Sequence, residues 1–337
     1  MKNNPKKIPK VSIIVPCYNE EKTIGLLLRA IQTQDYPQSN IEIVIADSLS
    51  TDTTKEKISE FINENPSILV KVVDNAKQTI PSGVNCAAKA AKGEILVRLD
   101  AHSEPNKEYV KTSVDLLQNN VAENVGGIWE IQPGEDTCIA KAIAKAAAHP
   151  LGVGDAKYRV STKAQYVDTV PFGAFSKKTF DSLGRFDEAL LANEDYEFNA
   201  RLKNNGGRVW LDPRIQSKYY ARKNLKELAK QYWRYGFWKV KMLQRYPATI
   251  RWRQAIPPLF IASIFILVIF SIFIPFTRII LGVELGIYLL TLLLIGLQTT
   301  IKHNNLCFLL MPLAIITMHF SWGVGFINSL FTSMWRE

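Results

Sequence analysis

Short apolar runs alternate with longer stretches of helical spacing through the first hundred residues. Val11 to Val15, Ile41 to Ala46, Leu69 to Val73 and Ile95 to Leu99 have the length and β-branched content of buried strands. Between them, Glu21 to Gln34, Thr53 to Asn63 and Ser82 to Ala91 place apolar residues at helical intervals. This alternation predicts an α/β domain whose mainly parallel sheet carries helices on both faces and binds its ligand at the carboxyl ends of the strands. From about Tyr109 to Leu211 the pattern is less regular. It predicts a strand at Val125 to Ile131, an Ala-rich helix near Asp136 to Ala148 and a helix from Glu194 to about Asn204, all completing the same domain.

After Arg253 the charges almost vanish. Ile256 to Phe276 carries none and is long enough for a hydrocarbon core of about 30 Å. Two further spans are predicted, roughly Ile279 to Leu297 and Leu306 to Ile327. They contain Glu284 and His319, which leaves open that one of them is a buried soluble helix, so that two spans remain the alternative to three.

Composition sharpens this picture at two points. The 337-residue chain has a net charge of +10, and its basic residues crowd the approach to the apolar region, Lys218, Arg222, Lys223, Lys226, Lys230, Arg234, Lys239, Lys241, Arg245, Arg251 and Arg253 among them. That position favours a membrane surface and membrane lipids over nucleic acid, for which no aromatic-basic recognition module is present. The four cysteines, Cys17, Cys86, Cys138 and Cys307, have no metal-site spacing and no framework of close pairs, so reduced, buried thiols are expected. The resulting division is a basic tail at 1–10, which reads as solvated rather than as a signal peptide, an α/β domain at 11–222, basic amphipathic interfacial helices at 223–254 and a membrane domain of about three spans at 255–330. The positive charge before Ile256 is expected to place the α/β domain in the cytosol of a multi-pass protein of the cell membrane.

Candidate chemistry lies at the strand tips. The first strand runs into Pro16, Cys17, Tyr18, Asn19 and Glu20, which residue chemistry alone reads as a turn and helix start. The second ends at Asp47, a carboxylate able to accept hydrogen bonds from a nucleoside. The fourth ends at Asp100-Ala101-His102. In extended geometry the first and third of these share a side, so Asp100 and His102 could ligate one divalent ion; otherwise His102 is a loop residue beside a single-carboxylate site. Asp195 is either a functional carboxylate or an early-turn acid favoured by the helix dipole.

Taken in order, VSIIVPCYNEEKTI, VIADSLSTDTT, GEILVRLDAHS and LGRFDEALLANEDYEFNARLKNNG resemble the inverting family 2 glycosyltransferases of GT-A fold, over roughly Val11 to Tyr235. The apolar C-terminal region and the Asp-Ala-His variant are similar to the succinoglycan-like, exopolysaccharide branch. The resemblance implies a Rossmann-like mixed sheet with C-terminal transmembrane helices. It implies that Pro16, Tyr18 and Glu20 line the nucleoside pocket, that Asp47 reads the base, and that Asp100 and His102 hold Mn²⁺ or Mg²⁺ on the diphosphate, with imidazole tilting the choice toward Mn²⁺. Asp195 corresponds to the catalytic base. Gln231, Arg234 and Tyr235 resemble a Gln-x-x-Arg-Trp motif of processive relatives, with Tyr in place of Trp. Ser48 and Leu49 stand where many relatives have Asp and Gly.

The expected reaction moves a sugar from a nucleotide-diphosphate sugar to a membrane-confined, lipid-linked saccharide in exopolysaccharide, capsule or cell-envelope glycan synthesis. A polyprenyl-phosphate glycosyltransferase making a lipid-linked monosaccharide shares every motif. A non-catalytic membrane scaffold keeping the fold is the reading of another class. Donor sugar, linkage, processivity and oligomeric state have no signature in the sequence.

Overall fold

A computed structural model describes residues 8–334; residues 1–7 of the expected basic tail lie outside them. Packing divides the chain into two compact units. The first comprises the chain through Glu130 with Ser161–Tyr219, and the second Ile131–Val160 with the chain from Tyr220 on.

The first unit is built on a mixed sheet of β1 (Val11–Cys17), β2 (Ile41–Asp47), β3 (Leu69–Asp74), β4 (Ile95–Arg98), β5 (Glu104–Pro105), β6 (Asn124–Gln132), β7 (Gln165–Tyr166), β8 (Ala174–Ser176) and β9 (Val209–Tyr220). Their order is β3-β2-β1-β4-β8-β6-β9-β5, with β7 paired to β9. β1 to β4 run parallel, while β8 is antiparallel to both β4 and β6. β1 and β2 are buried along their whole length, as continuous apolar strands covered on both faces should be. β3 departs from the buried strand expected: it is the edge of the sheet, and Leu69 and Val72 are exposed.

Helices Ile24–Gln32, Thr54–Glu64 and Ile80–Ala90 connect these strands. The third begins two residues before Ser82, because Thr79 accepts the Ser82 N–H as a cap and Pro81 fits the first turn, where its missing N–H costs nothing. One core layer gathers Ile13, Val15, Leu27, Leu28, Ile43 and Val97; the opposite face packs Ile14, Val44 and Val84 with Phe175, Phe180, Phe186 and Phe198.

In the second unit, helices Trp252–Phe270, Pro275–His303 and the segment Leu306–Thr332 are each long and apolar enough to cross a membrane. The first ends before the expected Phe276, because the chain breaks after Phe270 and Pro275 opens the next helix. Polar groups within these helices find partners. Ser263 donates to Glu284 at 2.6 Å; His319 Nε2 donates to the Leu151 carbonyl at 2.9 Å, which leaves its Nδ1 to accept from the Tyr288 hydroxyl at 3.1 Å. Helix Leu225–Arg245 packs on helix Met311–Met334 at backbone distance: a Cβ on Gly325 would meet the Trp233 carbonyl at 2.2 Å, and one on Gly236 the Trp322 carbonyl at 2.2 Å.

Two expectations are corrected here. The Ala-rich helix, Cys138–Ala147, belongs to the second unit, not to the sheet domain. Its apolar face reads the same in either place. Cys138 forms a disulfide with Cys307 across 169 residues, a separation at which spacing carries no signal; Cys17 and Cys86 are free thiols, Cys17 buried and Cys86 partly so.

Candidate active site

Because β1 leads to β2 on one side while β4 lies on its other side, the strand order reverses between β1 and β4. A crevice at the carboxyl ends of such a pair is where open α/β sheets bind ligands. Three loops meet this edge, following Cys17, Asp47 and Arg98.

The first two are laced together. Asn19 N–H donates to Ser50 Oγ at 3.0 Å, its side-chain oxygen accepts the Thr51 N–H at 2.8 Å, and Glu20 N–H donates to Thr54 Oγ1 at 2.8 Å. Asp47 is wholly buried. It accepts the Ser50 N–H at 3.0 Å and the Ser50 hydroxyl at 2.5 Å, and pairs with Lys55 at 3.2 Å. What this turn presents to solvent is Leu49, 40% exposed and held at φ +61°, a left-handed conformation that costs a leucine energy. Tyr18 is exposed on the neighbouring loop, while Pro16, within β1, lies against Gly83.

The third loop is not extended. The strand stops at Arg98, and Ser103 N–H closes a turn on the Asp100 carbonyl at 2.9 Å, so the alternation argument pairing Asp100 with His102 does not apply. It applies instead to Arg98 and Asp100, whose side chains meet at 3.2 Å. His102 turns to the first loop, its Nδ1 2.9 Å from Glu20 Oε1.

Arg98 is a site residue that the pattern analysis passed over. It is buried, donates to Asp100 at 3.2 Å and to Glu194 at 3.0 Å, and lies 5.5 Å over the Phe186 ring. Burial alone would lower its pKa, but Asp100, Glu194 and Asp195 together hold it raised. An arginine at a buried position of the apolar run ILVR was the available signal.

Asp195 stands on the first turn of helix Glu194–Asn204, entered through Asn193 at φ +64°. Its carboxylate accepts the Tyr196 N–H at 2.7 Å. Burial chiefly, then the charges of Glu194 and Asp100, push its pKa up to about 6, against the opposing pull of Arg98. Asp100 and Asp195 are therefore close enough to sense each other's charge, although 95 positions apart in the chain.

Asp100 and His102 offer a carboxylate and an imidazole from one turn. Asp100 Oδ2 accepts no hydrogen bond among the described residues, which leaves it a donor atom. No three His, Cys, Asp or Glu side chains converge as a metal cage among those residues. A carboxylate and an imidazole are donor types suited to a divalent cation such as Mn²⁺ whose remaining positions are filled by water and phosphate oxygens. Gln231 and Arg234 belong to the second unit, on helix Leu225–Arg245, where Gln231 donates to the Tyr235 hydroxyl at 3.1 Å and Arg234 is exposed.

The dolichyl N-acetyl-α-D-glucosaminyl phosphate 3-β-D-2,3-diacetamido-2,3-dideoxy-β-D-glucuronosyltransferase of Methanococcus voltae is 29% identical over 327 residues, 95% of this chain and 97% of that one. The succinoglycan biosynthesis protein ExoA of Rhizobium meliloti is 28% identical over 96% of this chain and 94% of its own. Among solved structures, the mannosyltransferase PcManGT from Pyrobaculum calidifontis, in complex with GDP-Man and Mn²⁺, superimposes with a TM-score of 0.61 at 19% identity, covering 98% of this chain and 89% of that one. It shares the fold. The family model for glycosyl transferase family 2 matches residues 12–183, half of the chain and most of the sheet with its three loops, so the chain belongs to glycosyl transferase family 2.

Proposed function

We propose that this glycosyltransferase is inverting and metal-dependent, and that it transfers a sugar from a nucleotide-diphosphate sugar to a lipid-linked saccharide at the membrane. The observation that carries the reading is the placement of Asp195. It is a carboxylate with a raised pKa, within electrostatic reach of Glu194, Arg98 and Asp100, the last of which follows β4 where the strand order reverses.

A carboxylate of pKa about 6 is ionised at neutral pH and a better proton acceptor than an ordinary one. Asp195 takes the proton from the acceptor hydroxyl as its oxygen forms the new glycosidic bond and the bond to the nucleoside diphosphate breaks. One such displacement inverts the anomeric centre. Arg98 holds Asp100 and Glu194 in place and keeps Asp195 from remaining protonated. Asp100 and His102 would hold a divalent cation, Mn²⁺ or Mg²⁺, which would supply charge neutralisation for the diphosphate. On this reading Pro16, Tyr18 and the Asp47 turn form the nucleotide side.

Relatives that match along almost their whole length support the acceptor class. One is named for a dolichyl phosphate that already carries a sugar, the other for succinoglycan synthesis. With three apolar helices in the same chain, a membrane-confined acceptor is concentrated where the enzyme sits. The basic approach to Trp252 supports a cytosolic catalytic unit. Nucleoside diphosphate release is to be measured with purified enzyme and a panel of nucleotide sugars, offered either polyprenyl phosphate or polyprenyl-linked saccharides. Turnover only with the saccharides supports the proposal. Turnover with bare polyprenyl phosphate makes the enzyme a monosaccharide-lipid synthase, and none with any donor favours the scaffold.

A further inference from the structure

Glu20 follows β1 and His102 follows β4, the two parallel neighbours between which the strand order reverses. Their side chains join the two loops, with Oε1 and Nδ1 2.9 Å apart. Glu20 is held from its other side too: its second carboxylate oxygen accepts the Thr23 hydroxyl, and its backbone N–H is anchored on Thr54. Both side chains are partly exposed, 22% for Glu20 and 38% for His102, so the pair lies at the surface rather than in the core.

A carboxylate only accepts hydrogen bonds, so the imidazole nitrogen facing it carries the proton. In the neutral ring that puts the lone pair on Nε2, the nitrogen remote from Glu20. We infer that Glu20 is a positioning residue for the cation site: it fixes His102 in the tautomer and ring orientation that direct Nε2 to the metal. The inference rests on the reading of His102 as a metal ligand. A carboxylate ligand has two equivalent oxygens and needs no such partner, whereas one of the two imidazole tautomers is the wrong one. Glu20 is therefore useful with His at position 102 and harmful with Asp there, where two carboxylates would face each other.

Mn²⁺ affinity of the purified full chain is to be measured by electron paramagnetic resonance of the free ion, with UDP present and in parallel with GDP. His102→Ala is expected to weaken Mn²⁺ binding, and Glu20→Ala to weaken it about 10- to 100-fold, the range typical of a carboxylate behind a metal-bound histidine. Glu20→Gln, which keeps an acceptor oxygen, should lose less. In the His102→Ala background Glu20→Ala should add nothing, and in the His102→Asp background Glu20→Gln should tighten Mn²⁺ binding. An unchanged affinity in Glu20→Ala, or an equal loss with and without His102, overturns the inference while leaving the metal site intact. Loss of metal-free UDP and GDP binding to the same extent would make Glu20 a nucleoside contact and overturn it as well. Only an unchanged affinity in His102→Ala would remove the metal-site reading itself.

Discussion

Arg98→Met tests the charge arrangement behind the site most severely. The guanidinium is buried with two carboxylates, Glu194 at 3.0 Å and Asp100 at 3.2 Å, and Glu194 is itself buried. At an effective dielectric of about 20, each pair at this range represents about 5 kcal/mol of Coulomb attraction, set against the desolvation of every partner. Methionine fills much of the volume but leaves Glu194 without its cation, and removal of one member of a buried pair costs about 3–5 kcal/mol. For a unit of this size that corresponds to a fall in melting temperature of about 6–20 °C. Hydrogen exchange of the amides in helix Glu194–Asn204 should report the same loss locally, since Glu194 ties that helix to β4. The double variant Arg98→Met/Glu194→Gln removes the stranded charge and should recover most of the loss. A single variant within about 1 kcal/mol of the parent, or a double variant no better than the single one, would refute the reasoning.

Asp195→Asn should lower turnover about 10²- to 10⁴-fold with nucleotide binding retained, as measured by steady-state kinetics and calorimetry; near-normal turnover would leave Asp195 a helix-cap acid. Because the pKa of Asp195 is raised to about 6, kcat/KM should fall as pH drops through about 6. The sign for stability is opposite to that of a salt-bridged acid: ionisation of Asp195 costs the folded state nothing below its unfolded pKa and most above pH 6. Asp195→Asn should therefore raise the melting temperature at pH 8 and not at pH 3.5. Leu49→Gly should relieve a left-handed leucine at the cost of unfolded-chain entropy and net a gain of about 0.5 kcal/mol in a melting experiment. Gly325→Val should destabilise the packing of helices Leu225–Arg245 and Met311–Met334 by about 1–3 kcal/mol or more, read by proteolysis in detergent.

Strands buried on both faces, as β1, β2 and β4 are, announce themselves as unbroken apolar runs, and so do the three long apolar helices. Leu69 to Val73 has the same composition, yet only the strand order shows that it is an edge. The two- and three-residue strands β5, β7 and β8 owe their existence to partners far along the chain and leave no local periodicity. At the site, motif order points to Asp100, His102 and Asp195 but carries none of their contacts. Alternation failed past Asp100 because the chain turns there, and the links of Glu20 to His102 and of Arg98 to Glu194 join residues 82 and 96 positions apart. The disulfide between Cys138 and Cys307 is of the same kind. Titration of the denatured, unreduced chain should therefore find two free thiols and not four.

The central claim is a single displacement at the sugar, with Asp195 as base. The most direct measurement is the anomeric configuration of the product, read by NMR after transfer from an α-linked nucleotide sugar to a polyprenyl-linked saccharide. The account requires a β-linked product whose formation is lost in Asp195→Asn. An α-linked product, or a β-linked one formed at the parent rate by Asp195→Asn, would contradict it.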